Sequence, residues 1–326
     1  MANATYANAR AKSLEKYLLG NERLNRMIES SSAEEALKVL SEVNFGEGVV
    51  IGSPLDFELL LDAETNKLYK FIKETGANDA LASYLLIKND FHNAQCYIRA
   101  KYLKIDIDDM LTLDGTIKKE VLKEKIMVDE YKSFPKPLQS ALSRADFCFV
   151  SNKATGRTVD GIFKKELYTE LYNLSKREKT LNEIYKVQAD CTNVATALRT
   201  RNYALSCEEF VDGGTLSKDF LKALCEQPLE VLKETCRYND KSEMLLSAID
   251  GAIKNQPLSD FENRADSYAV ALLQKDKYST EGLHPFLLYV FYKLAEIINV
   301  RIVMVGKING LSKADIKRRL RKGYEG

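Results

Sequence analysis

An acid, an asparagine three residues on, and a base eight residues past the asparagine recur along this chain. The copies are Asp90–Asn93–Lys101, Asp190–Asn193–Arg201 and Glu296–Asn299–Lys307. Residues three apart lie on one helix face, so each carboxylate and amide work as a unit. Such a unit could move a proton, meet a charged partner, or tie helices together by hydrogen bonds. An enzyme rarely needs one group three times. Hydrogen bonds that fix the packing of a repeated helical unit are the simpler use, with Asn93, Asn193 and Asn299 as structural residues. The functional alternative has Asp90, Lys101, Asp190, Arg201, Glu296 and Lys307 lining an opening that a partner enters. A further arginine follows the asparagine by six in two copies (Arg99, Arg199). The opening segment holds a partial copy, Thr5–Asn8–Lys16, and Arg10 stands two after its asparagine as Arg301 does.

Other chemistry is thinly supplied. Gly306–Lys307 lacks the upstream glycine of a phosphate loop and is followed by Ile308, so it reads as helix-end punctuation. The only histidines are His92 and His284, which excludes His-rich metal sites. His92 and Cys96 stand one helical turn apart and read as packing. Neither G-x-S-x-G nor H-E-x-x-H occurs. Neither a catalytic residue, a cofactor nor a metal is expected.

The elements that must position the signature read as helices throughout. Leu, Lys, Glu and Ala abound, and only 6 Pro occur in 326 residues. Residues 4–19 predict an opening helix; 21–28 and 32–43 predict two short ones, the second behind a Ser32–Glu35 capping box. Long pairs follow at 53–73 and 80–103, with a turn at Gly76–Ala77–Asn78. They recur at 158–177 and 181–203, and again at 257–276 and 284–307. Ser53–Glu58 (S-P-L-D-F-E) is echoed at Gln256–Glu262 (Q-P-L-S-D-F-E). Restart glycines Gly20, Gly115, Gly214 and Gly310 stand about 95 to 99 residues apart. This is too long for a solenoid unit. It predicts three homologous helical domains, 1–113, 114–213 and 214–326, able to close into a pseudo-threefold ring or cup.

The last long segment, His284 to Leu311, is the most apolar. Tyr289, Lys293, Glu296, Asn299 and Lys307 fall on one narrow side when it is wound as a helix. It predicts a mostly buried helix showing one polar seam, not a membrane span, because Lys293, Glu296, Asn299 and Arg301 interrupt it. Arg301, on the apolar side, is expected to be buried and paired with a carboxylate or with helix-end carbonyls.

Charge is almost balanced, 48 basic against 47 acidic residues, which gives no global pull toward nucleic acid or anionic lipid. The six cysteines (Cys96, Cys148, Cys191, Cys207, Cys225, Cys236) show no framework spacing and read as reduced thiols of a cytoplasmic protein. The start of the chain lacks the apolar core of a signal peptide. The basic tail, Lys313 to Tyr324, reads as a solvated helix end; the alternative is contact with an acidic partner or a membrane surface.

Two stretches carry a family resemblance: Tyr6-x-Asn8-Ala9-Arg10, and A-E-I-I-N-V-R-I-V-M-V-G-K-I-N-G-L-S-K-A-D-I from Ala295 to Ile316. With His284–Pro285 and the three helical repeats, the chain resembles the C subunit of archaeal and bacterial V-type (A-type) ATPases, the counterpart of the d subunit of the eukaryotic vacuolar ATPase. The resemblance implies an all-α funnel of three related domains and a non-catalytic rotor part of a rotary ATPase. It implies a place on the cytoplasmic face of the proteolipid ring, with no transmembrane segment and no nucleotide site of its own. It also implies that the shaft formed by the D and F subunits ends in its cavity, coupling ATP hydrolysis or synthesis to H⁺ or Na⁺ movement. Lys317, Arg318 and Arg321 are candidates for the ring-facing side. Two other classes stand beside this one: a helical adaptor holding an acidic partner or nucleic acid through the tail, and an enzyme using the acidic seam.

Overall fold

In the computed structural model, residues 2–75, 79–201, 210–239, 241–279 and 282–324 are described. The expected turn at Gly76–Ala77–Asn78, the end of the fourth long segment beyond residue 201, and Cys207 lie outside them. Every regular element among the described residues is a helix. In chain order the α-helices are α1 (Ala2–Glu15), α2 (Gly20–Glu29), α3 (Ala33–Ser41), α4 (Phe57–Thr75), α5 (Asp79–Leu103), α6 (Lys119–Met127), α7 (Lys136–Val150) and α8 (Gly156–Ser175). They continue with α9 (Lys179–Arg201), α10 (Lys218–Glu226), α11 (Leu229–Cys236), α12 (Ser242–Ile253), α13 (Leu258–Lys275), α14 (His284–Ile308) and α15 (Lys313–Arg319).

Local chemistry sets these ends. Ser53 caps a short 3₁₀ turn ahead of α4: its hydroxyl accepts the Leu55 N–H, and Asp56 accepts the Ser53 N–H in return. Ser32 accepts the Glu35 N–H, but the Glu35 carboxylate reaches one residue further back, to the Ser31 N–H and hydroxyl. The expected box is therefore closed one residue early. α14 ends in a paired motif, Leu311 N–H to the Gly306 carbonyl and Gly310 N–H to that of Lys307. Gly306 itself is not punctuation. It lies inside α14 beneath Ile316, where a Cβ would come within 2.6 Å of the Ile316 side chain, so it lets α15 dock closely.

The chain forms two compact units, one from residues 1–77 with 227–326 and the other from 78–226. In the second unit α5 packs on α6, α7 and α8, and α9 packs on α8 and α10. In the first, α14 is the central helix, against α1, α2, α3, α4, α13 and α15. Leu24, Met27, Leu40, Leu61, Val300, Val303 and Met304 form its apolar core. The first and last thirds of the chain thus extend into both units. α5 packs with the helices that follow the next restart, α6, α7 and α8, whereas α14 packs with those that follow the first restart, α2, α3 and α4.

α14 overturns one expectation. Its polar seam points inward: Lys293, Glu296 and Asn299 are buried, while the side carrying Arg301 and Val305 is exposed. The amphipathic reading assumes that polar groups seek water. Here they find one another and backbone N–H groups instead. Among the described residues no helix is long and apolar enough to cross a membrane.

Candidate functional site

The three acids perform one task. Asp90 accepts the Thr116 N–H at 3.0 Å, the Thr116 hydroxyl at 2.5 Å and the Ile117 N–H at 3.0 Å. Asp190 accepts the Thr215 N–H at 2.8 Å, its hydroxyl at 2.8 Å and the Leu216 N–H at 3.1 Å. Each carboxylate holds the backbone just past a restart glycine, Gly115 or Gly214. A Cβ on either would run into the Asp90 or Asp190 carboxylate, so only glycine lets the chain come this near. Glu296, one carbon longer, accepts the N–H of Leu19, just before Gly20.

The asparagines clasp backbone through both amide atoms, in the first two copies within the loop that the acid holds. Asn93 accepts the Thr112 N–H at 2.9 Å and donates to the carbonyls of Thr112 and Leu113. Asn193 exchanges bonds with Val211 at 2.8 and 2.9 Å. Asn299 does so with Arg321, also at 2.8 and 2.9 Å. Asn8 repeats the device, donating to the Gly282 carbonyl and accepting from the Phe286 N–H. A primary amide matches a peptide group donor for acceptor, which explains the residue type.

The bases close the next short helix. Lys307 donates to the carbonyls of Ile28 and Ser30 at the end of α2, at 2.6 and 2.5 Å. Arg201 donates to the Leu224 carbonyl near the end of α10, at 3.2 Å. Lys101 pairs with Asp129 just past α6 and with Asp146. A cation there also meets the negative end of the helix dipole. Lys101 holds the Asp129 carboxyl below its ordinary value.

The seam therefore acts within the chain. Asp90 and Asp190 are fully buried and Glu296 is 8% exposed, so these carboxylates face backbone rather than an opening. Arg301 is corrected in the opposite sense. It is paired as expected, bidentate with Glu58 at 2.7–3.2 Å, but both side chains are 46% exposed. The tail folds back on its own chain: Lys313 and Lys317 share Glu29, which they pull down to about 2, and Arg318 stands between Asp260 and Asp315. Lys317 and Arg318 stay half-exposed, while Arg321 gives its backbone to Asn299.

One cluster was only half visible in sequence. The Lys293 ammonium lies 2.6 Å from Glu64 and 2.5 Å from Glu296, all three buried, with Phe45 under the ammonium at 5.0 Å. Burial opposes the lysine's charge, yet the two carboxylates hold its pKa above the ordinary value. Burial likewise pushes Glu64 up, but Lys293, the Gly46 N–H and Lys67 overcome it and hold the group low. Burial prevails at Glu296, which is raised despite Lys293 and Leu19. The available signal for Glu64 was a carboxylate inside the apolar stripe Phe57, Leu60, Leu61, Leu68, Phe71 and Ile72 of α4.

Beside this cluster a cleft of about 460 Å³ opens between α1, α4, α14 and residues 43–47. His92 bonds the Met110 carbonyl at 2.8 Å and stands 3.7 Å from the Cys96 sulfur. No group of three or more His, Cys, Asp or Glu placed to hold a metal occurs among the described residues.

Comparison with known proteins places the chain in a family. Residues 7–319 match the model of the ATP synthase (C/AC39) subunit family. The C subunit of the V-type sodium ATPase of Enterococcus hirae is 24% identical over 316 residues, covering 94% of this chain and 95% of that protein. The C subunit of the A-type ATP synthase of Methanocaldococcus jannaschii is 25% identical over 350 residues, covering 97% and 86%. That of Archaeoglobus fulgidus is 22% identical over 339 residues, covering 97% and 95%. With nearly its whole length matched, the chain belongs to the ATP synthase (C/AC39) subunit family and is a subunit of a rotary ATPase.

Proposed function

We propose that this chain is the rotor part that joins the central shaft, made by the D and F subunits, to the membrane proteolipid ring. It performs no chemistry of its own and couples ATP hydrolysis or synthesis to H⁺ or Na⁺ transport from the cytoplasmic face. The observation that carries this reading is the use of the signature. All three copies serve rigidity: acid, amide and base each fix one part of the following restart, and the third copy acts on the first restart at Leu19 and α2. The recurrence of these ties supports three related helical domains. It suits a part that transmits torque, because close-packed, fully tied walls yield little under load. Lys317 and Arg318 are the nominated basic residues with exposed groups to offer the ring.

The test is reconstitution. The immobilised full-length chain retains the purified D–F shaft, and complexes rebuilt without it hydrolyse ATP but move no ions. Failure to retain the shaft, or coupled transport in the chain's absence, overturns the reading.

A further inference from the structure

The cleft beside Lys293 holds two groups that no charged side chain among the described residues hydrogen-bonds. Tyr289 lines it and is 8% exposed, yet among the described residues no group hydrogen-bonds its hydroxyl. The hydroxyl is not among the buried side-chain atoms that lack a partner, so it is open to the cleft, where a ligand acceptor can take the place of water. Arg10 also lines the cleft. Its guanidinium donates to the Tyr6 hydroxyl at 3.4 Å and lies 5.8 Å from the centre of the Phe71 ring, and no carboxylate among the described residues pairs with it. Phe71 joins the two, since its ring also stands edge-on to Tyr289 at 5.3 Å. The other charges of the cleft are already matched: Lys67 with Glu47 and Glu64, Lys70 with Glu74, and Lys293 with Glu64 and Glu296. Leu14, Tyr17, Leu68 and Phe71 supply apolar wall.

We propose that this cleft binds an organic monocarboxylate with an apolar body, its carboxylate taken by Arg10 and the Tyr289 hydroxyl. A guanidinium and a phenol form two donors for one carboxylate. Glu47, Glu64 and Glu74 in the same cleft work against a phosphate dianion, whose second charge has no unpaired cation to meet. The volume falls within the range of roughly 300–1,000 Å³ usual for small-ligand pockets. This site is independent of the rotor reading, because it rests on the cleft's own groups and on no contact with another protein of the complex.

Calorimetric titration of the full-length chain tests it. The probes are 4-phenylbutyrate, its neutral counterpart 4-phenylbutanol, and an acetylated alanine–alanine–phenylalanine peptide with a free or an amidated end. The acid is expected to saturate the site and the alcohol to bind about tenfold more weakly, as loss of a charge-assisted bond predicts. Arg10→Gln removes that preference. Tyr289→Phe weakens the acid severalfold while leaving the thermal midpoint unchanged, since the hydroxyl has no protein partner to lose in the free chain. Binding of the free-ended peptide alone upholds the carboxylate site and assigns it to a chain terminus. Binding of phenylbutyrate assigns it to a small acid. Equal binding of acid and alcohol, saturation by no probe, or an Arg10→Gln variant with unchanged preference overturns it.

Discussion

The Glu296 carboxylate accepts the backbone N–H of Leu19, 277 residues earlier in the chain. In the other two copies the acid holds a restart 25 to 27 residues ahead of it. The third copy finds its restart split between the chain ends, Leu19 for the acid and Arg321 for the asparagine.

This split predicts an order of costs. Asn193→Ala strands both backbone groups of the buried Val211 and is expected to cost ~1–3 kcal/mol. Asn299→Ala frees a segment near the end of the chain, which can turn its groups to water, and should cost less. Urea midpoints of the two variants check the ranking.

Lys293→Met leaves Glu64 and Glu296 buried without their cation and is expected to destabilise by ~3–5 kcal/mol near neutral pH. In the variant both carboxyls titrate above their unfolded values. Stability is then retained below the unfolded carboxylate pKa and lost as pH rises through the folded one. The gap to the parent chain should narrow on going from pH 8 to pH 5, measured by denaturant titration at each pH.

Arg301→Ala is expected to cost only ~0.2–1 kcal/mol, because its pair with Glu58 is half-exposed. A loss of several kcal/mol in the urea midpoint would restore the buried reading.

Gly214→Ala places a methyl group against Asp190 and is expected to cost ~1–3 kcal/mol through overpacking. Gly251→Ala, inside α12 with only a Gln256 contact at 3.6 Å, serves as the tolerant control. Thermal midpoints of both decide it.

The tail anchor at Glu29 has its own pH signature. Its folded pKa of about 2 lies below the unfolded value, so the anchor holds above the unfolded value and is lost as pH falls through the folded one. Protection of the amides of residues 313–319, relative to their intrinsic exchange rate at each pH, should therefore persist at pH 4 and fall towards pH 2. Equal exchange rates in the Glu29→Gln variant at pH 4 would show that α15 is held without Glu29.

The helices and the signature positions were legible because periodicity and punctuation are local properties. Pro54, Pro228 and Pro285 stand at or beside helix starts, and the restart glycines Gly115 and Gly214 sit where acids approach the backbone. The direction of the α14 seam was not legible, because it depends on Glu64 arriving from α4 and Leu19 from beyond α1. The apolar side of α14 likewise suggested burial for Arg301, but Glu58 meets it near the surface instead. The cleft between α1, α4 and α14 is a tertiary property with no sequence period to reveal it.

The split restart also bears on synthesis. Residues 1–77 emerge first, yet α14, on which α2, α3 and α4 pack, is made more than 200 residues later. Residues 78–226 can condense as they appear, whereas Leu24, Met27 and Leu40 stay uncovered until the ribosome reaches α14. At ~5–20 residues per second that wait lasts roughly ten to fifty seconds. Over that interval the nascent amino-terminal helices are a substrate for holding chaperones, and a stalled message yields a chain whose middle is folded and whose beginning is not.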